Sequence, residues 1–494
     1  MSMDEHKTKP AGTNGGSDVC PSKRKQLDLA TVNAQIEETT GPEYWRSLEE
    51  LAGSAEFREM LHREFPKGAS EWLDGFSRRG FLKTMGASLA LAGLTGCTRM
   101  PNTEIVPYVK QPENVVPGRP MFYATAFTLG GYASPILVES HLFRPTKVEG
   151  NPQHPASLGG TDVYAQASIL DLYDPDRAQN ITYLGDVRSW NAFMEAVRGP
   201  INVQKSLAGG GVRILTQTVT SPTLAAQIRS YLAANPMAKW HVYEPINRDN
   251  VYEGAKLAFG EPVETRYDLS KADVIVSLDA DFLYAGLPAS ARYTRDFAAR
   301  RNPDANMNRL YAVESTPSST GMKADHRIPL RAMEIEDFTR ALASAVGVNT
   351  EGFPGDKQKY VDAITKDLRS HKGASVVIAG DHQPPAVHAL AHAINQALGN
   401  VGQTVFYTEP VDANPVNHNQ SLHALVEDMR AGKVDLLLIL AGNPAYDAPA
   451  ELEFASALKS NAVNLKVFLG THRNETAELC QWHVPEAHYL ESWS

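Results

Sequence analysis

A chain of 494 residues, 43% hydrophobic and 21% charged, has an ordinary globular composition and room for two or three domains. Its net charge of −10 excludes nonspecific nucleic-acid binding, which needs a basic surface. The three cysteines, Cys20, Cys97 and Cys480, stand far apart, so no CxxC or CxxxC cluster exists. That excludes a cysteine zinc site and an iron–sulfur cubane, which takes four thiolates or close substitutes.

Residues 1–40 are polar, without hydrophobic periodicity, and predict disorder. Residues 41–100 form an extended export region. It opens with a helical pattern in which Tyr44, Trp45, Leu48 and Leu51, then Phe57, Met60, Leu61 and Phe65, recur at spacings of three and four. Ser77 to Lys83 reads SRRGFLK, the twin-arginine export signature, with Arg78 and Arg79 as its pair. The apolar run from Met85 to Gly96 is too short to span a membrane, which takes about 20 residues, and suits a signal h-region. Leu94-Thr95-Gly96-Cys97 fits a lipobox, so Cys97 is either a lipidation site or simply a small residue closing that run. Residues 101–120 are a Pro-rich linker or strap.

A small β-rich domain is expected over 121–189, where FYATAF and ILVES alternate as strands. His141 and His154 are its only tempting ligand types and read as isolated surface histidines. Thereafter βα units run twice, over 190–350 and 351–494. Asp273 and Asp435 stand 162 residues apart, Glu244 and Glu409 165, and His326 and His483 157, the offset of a duplicated unit. The apolar runs predict buried parallel strands in two doubly wound α/β domains packed around a crevice.

Their strand-end loops contain Asp279-Ala280-Asp281, Ser315–Gly321, Gly380–Gln383, Gly442-Asn443-Pro444 and Gly470–Arg473. They read first as turns and second as phosphate-binding backbone, and Asp279 with Asp281 would repel a pyrophosphate. No G-x-G-x-x-G follows a strand, and neither a Walker A lysine nor a G-x-S-x-G elbow occurs.

The stretch TKVEGNPQHPASLGGTDVYAQASILDLYDPDR, from Thr146 to Arg177, resembles the segment of molybdopterin oxidoreductases that holds the last cysteine of a cluster site. In that frame Asp162 stands at the lost cluster-ligand position, Tyr164 at a lysine and Ala165 at a glycine. The Gly442-Asn443-Pro444 turn and the extended export region share the resemblance. It implies a molybdopterin oxidoreductase-like α/β body whose paired domains, in that family, grip a bis-pterin guanine dinucleotide. The nearest pattern is the N-terminal half of alternative complex III B subunits, with IVPYV, PGRP and a final HYLESW motif that continues in the family.

That resemblance implies a chain with no cofactor and no catalytic residue of its own, followed by a C-terminal half bearing iron–sulfur clusters. The expected partners are quinol-oxidising membrane subunits and haem cytochromes at the periplasmic face of the membrane. A catalytic molybdopterin subunit, of the polysulfide or thiosulfate reductase kind, is the alternative. A lipid-anchored solute-binding protein is a third reading, against which the VEGNP–LYDPDR block speaks.

Overall fold

The computed structural model describes residues 115–116, 118–284, 288–460 and 463–492, all within the unit Lys110–Ser494. The region expected to serve export, with Arg78, Arg79 and Cys97, lies outside the described residues.

The first three strands, β1 (Met121–Leu129), β2 (Tyr132–His141) and β3 (Arg144–Gly150), form an antiparallel meander. Gly130 and Gly131 make the first hairpin, both with positive φ, as a two-residue turn of matching twist requires. A side chain at Gly131 would also meet Thr218 Cβ at 2.6 Å. Leu142 and Phe143 make the second turn, also at positive φ, where bulky residues are strained. Helix α1 (Val163–Leu172) packs on β3 through its buried Ala165 and Ser168.

The domain expected over 121–189 ends earlier than that. Strands β4 (Thr182–Tyr183) and β5 (Asp186–Val187) leave it to form the edge of a seven-stranded sheet. The strands that follow are β6 (Val212–Thr216), β7 (Lys239–Val242), β8 (Glu264–Tyr267), β9 (Val274–Leu278), β10 (Arg309–Glu314) and β11 (His326–Pro329). After them come β12 (Ser375–Ala379), β13 (Val405–Thr408), β14 (Leu436–Leu440), β15 (Leu465–Gly470) and β16 (Trp482–Pro485). The large sheet runs β5-β4-β16-β15-β14-β6-β7 and the smaller one β11-β10-β9-β12. All pairs of the smaller sheet are parallel, as are those from β16 to β7 in the larger.

Every residue of β6, β9 and β12 is buried, which is why these strands read as mainly apolar runs rather than alternating ones. Each sheet has a core on both faces. In the smaller sheet one core packs Ile335, Phe338 and Ile364 and the other Phe282, Phe297 and Leu310. In the larger, one packs Leu422, Phe454 and Phe468 and the other Val197, Ile214 and Trp482. Helices on both faces of parallel sheets make two doubly wound layers, the expected α/β class.

The expected boundary at 350 does not separate the sheets. β6 and β7, from the first run, complete the sheet of β14–β16, and β12, from the second, completes that of β9–β11. The exchange is reciprocal and keeps register. Val274 faces Ser375 in one sheet, and Leu436 faces Val212 in the other; Tyr311 faces His326, and Val467 faces Trp482. The duplication is real, with Trp482 rather than His483 as the counterpart of His326. It breaks down at β7 and β13, since β7 pairs with β6 while β13 pairs antiparallel with β8.

Because neither run holds a whole sheet, a fragment of residues 190–350 is expected to show no cooperative unfolding transition in urea. Coexpression with 351–494 is expected to restore one.

Candidate functional site

The ends of β9 and β14 carry the same device. Asp279 and Ala441 follow the two strands at equivalent places, with φ of 56° and 65°. Two residues later, the Asp281 carboxylate accepts the N–H and O–H of Thr320 at 2.8 and 2.7 Å. Asn443 Oδ1 likewise accepts the N–H and O–H of Thr476 at 3.1 and 2.9 Å. Ser318 and Asn474 cap the short helical turns that contain those threonines, accepting from Gly321 and Ala477. Each turn is thus stapled to the loop after the neighbouring strand. Asn443 also donates to Glu475 at 2.6 Å, and Asn474 donates to the Gly442 carbonyl at 3.0 Å.

Asp279 accepts from Gln383 at 3.1 Å and pairs with His382 at 2.9 Å, which raises the His382 pKa. A Cβ at Gly380 would lie 2.1 Å from the Asp279 carbonyl, so these strand ends touch through backbone. In the remaining loops, Glu314 accepts from Ser318 and Arg327, Arg473 pairs with Glu478, and His472 meets Asp174 at 3.1 Å. These turns do not fit a pyrophosphate. The N–H groups at the two helical turns are taken by Asp281 and Asn443, and Asp279 and Asp281 put negative charge where an anion would sit.

Asp162 accepts from the Ala165 N–H at 2.9 Å and is the N-cap of α1. A carboxylate serves that purpose where the resembled segment has a thiolate. Tyr164 meets Tyr284, hydroxyl to hydroxyl at 2.5 Å, and Ala165 is fully buried. His141 is bonded to Thr146 and lies near Glu139, and His154 accepts from the Ala156 N–H; both serve their own loops. Cys480 is buried, which pushes its thiol up to about 12.

Asp162 also lines a cavity of about 830 Å³ that sequence reasoning did not find. Its walls come from the β1–β2 turn, the loop before α1, the β8–β13 ribbon, helix α5 (Ser290–Ala299) and the end of β12. Helices α4 (Asp249–Phe259) and α8 (Pro385–Ala397) close it. These two pack tightly because Gly254 leaves room; a Cβ there would lie 2.4 Å from His388 Cβ.

Arg248, at the N-terminus of α4, brings a largely buried positive charge to this cavity. Its guanidinium pairs with Glu264, lies 3.3 Å from Asp381, and donates to Tyr132 Oη at 3.1 Å. It sits 5.5 and 5.9 Å from the ring centroids of Tyr132 and Tyr252, and those hydroxyls meet at 3.0 Å. Burial alone would lower the Arg248 pKa, but Asp381 and Glu264 hold it well above its usual value. These residues come from four separated segments, so no local motif marks them.

A second buried acid stands at the end of β7. Glu244 accepts from Thr218 Oγ1 at 3.1 Å, and its N–H donates to His418 Nδ1 at 3.0 Å. Burial pushes its pKa up to about 7, against which the Thr218 hydrogen bonds act; Asp412 and Asp447 add to the rise.

Comparison with known proteins agrees with this architecture. No family model matches the chain. Over 394 residues it is 22% identical to the menaquinone reductase, molybdopterin-binding-like subunit, of Nitratidesulfovibrio vulgaris (strain Hildenborough), covering 70% of this chain and 56% of that protein. The chain therefore spans little more than half the length of that relative. Among solved structures, acetylene hydratase from Pelobacter acetylenicus superposes with a TM-score of 0.50 at 12% identity, over 74% of this chain and 61% of that one. The chain is molybdopterin oxidoreductase-like, with a mixed α/β fold of parallel sheets and a β-rich N-terminal region.

Arg248→Met is expected to cost about 3–5 kcal/mol at pH 8, because it strands Glu264 and Asp381 without their cation. Urea denaturation of the variant beside wild type measures the deficit. Glu244 works in the opposite sense. Its folded pKa of about 7 lies above the ordinary 4.5, so its contribution to stability is lost as pH rises between those values. Glu244→Gln is expected to be more stable than wild type at pH 8, by up to ~3 kcal/mol, with the gain fading toward pH 5.

Proposed function

We propose that this chain is a cofactor-free scaffold subunit of a membrane quinol:electron-acceptor oxidoreductase of the alternative complex III kind. The observation that carries the reading is the pair of stapled turns, Asp281 on Thr320 and Asn443 on Thr476, at the places where this fold would hold a dinucleotide. Asp162, a helix cap at the position of a cluster cysteine, points the same way. No step of electron transfer is assigned to a residue of this chain. Its work is to hold partners in place, and the N-terminal meander has a surface suited to that. Phe122, Leu142, Phe143, Leu170 and Tyr173 are each about half or more exposed on β1–β3 and α1. Leu142 and Phe143 are held exposed at positive φ, which costs stability.

In this reading electrons pass through iron–sulfur clusters in a C-terminal half and through haem cytochrome partners, beside quinol-oxidising membrane subunits. The menaquinone reductase subunit among the relatives supports a quinone-linked complex. The Arg78-Arg79 signature supports export by the twin-arginine route to the periplasmic face, with Cys97 as a candidate lipid anchor.

The test is purification of the tagged native protein from membranes, followed by metal and pterin analysis. The expected result is copurification with haem-bearing and integral membrane subunits, without stoichiometric molybdenum. One molybdenum and a fluorescent pterin oxidation product per chain would replace the scaffold with the catalytic alternative.

A further inference from the structure

One wall of the 830 Å³ cavity carries hydrogen-bond donors that no described residue uses. Helix α5 begins there, and Pro288 to Tyr293 all line the cavity. Its N-cap, Ala289, stands at positive φ and gives the helix no side-chain hydrogen bond, and the first turn contains no acidic residue. The N–H groups of Arg292 and Tyr293 bond to the Ala289 carbonyl at 2.9 and 3.0 Å. Those of Ser290 and Ala291 have no acceptor among the described residues. The Ser290 hydroxyl has no partner there either, although Ser290 is only 8% exposed. Its oxygen is not one of the sealed polar atoms of the interior, so the surface it keeps faces the cavity it lines. A ten-residue helix thus presents to the cavity the positive end of its dipole, two N–H groups and a sequestered hydroxyl, a donor set suited to an anion.

Arg266 adds a charge to this wall. It lies on β8, lines the cavity, and is paired with no carboxylate among the described residues. Ser290 and Tyr293, three residues apart, share a face of α5. Burial pushes the Tyr293 hydroxyl up to about 12; the Tyr267 N–H, Arg248 and Arg266 act against that rise, which sets Arg266 within electrostatic reach of this face. The other charges are already matched: Glu264 and Asp381 with Arg248, Asp268 with Lys271, and Asp296 with Arg292. Asp162 caps α1. A ligand bearing several negative charges would be repelled by those five carboxylates, whereas a single charge meets the α5 terminus and Arg266. Tyr267, Phe406 and Tyr407 add flat apolar surface, in a cavity of the size of small-molecule sites. We propose that the cavity binds an aromatic monocarboxylate, whose carboxylate is received by the N-terminus of α5 in the field of Arg266.

The experiment titrates the full-length protein with 1-naphthoate and with 1-naphthamide, which keeps the ring and the carbonyl but loses the charge, following probe fluorescence. Saturable one-to-one binding is expected, with 1-naphthoate tighter by about tenfold, the size of one hydrogen bond to a charged group. Ser290→Asp gives the helix terminus a carboxylate of its own and should abolish that preference, with the urea midpoint at or above that of wild type. Arg266→Gln, at an exposed position, should cut the preference by about threefold. Should Ser290→Asp not fold, Arg266→Gln and the discrimination shown by the wild type decide. Equal affinity for the two probes, no saturable binding, or a preference that either substitution leaves intact would overturn the assignment. This titration and the metal and pterin analysis fail separately, because one reads the terminus of α5 and the other what the purified chain carries.

Discussion

The inner parallel strands β9 and β14 are paired along both edges, and here that pairing is completed by exchange. β6 reaches β14 and β12 reaches β9, so each sheet is finished by the other repeat. The equal registers of the two exchanges tie the sheets into one body. They also place the ends of β9 and β12 side by side, where Gly380 lets their backbones touch. The Asp279–His382–Gln383 contacts and the wall of the cavity depend on that closeness.

Around this frame, polar groups at the strand ends and the cavity wall are engaged with one another. Thr320 and Thr476 satisfy their neighbours' side chains, Asp162 caps a helix, and Arg248 balances Glu264 and Asp381. A buried ion pair of that sort contributes little net stability over an apolar equivalent but penalises any arrangement that separates its members. Arg248 therefore specifies how α4, the β8 ribbon and the loop after β12 meet more than it strengthens their union.

Much of this architecture was legible in the sequence. VRILT, VIVSL and LLLIL are mostly apolar because their strands are covered on both faces, and the near-constant offset between repeats exposed the duplication. Partner choice was not legible. Uniformly apolar strands carry no pattern that tells β14 from β12 as the neighbour of β6, so the boundary drawn at 350 followed chain order rather than pairing. The Asn443 turn was visible, but the role of its side chain depends on Thr476, which a strand and a loop separate from it. The cavity was hidden for the same reason: His388 and His392 form an obvious helical face, and nothing local says whether that face meets core or empty space.

The interleaving also sets a timetable. Val212 emerges from the ribosome 224 residues ahead of Leu436, its partner in the large sheet. At about 5–20 residues per second, β6 waits roughly 10–45 seconds for that neighbour, its edge unpaired and open to association with other chains. The β1–β3 meander, the β6–β7 pair and the β9–β11 strands can form early, but the joins between the two runs close late, and with them the long loops. Such a polypeptide calls for a chaperone that shelters apolar edges until translation is nearly done.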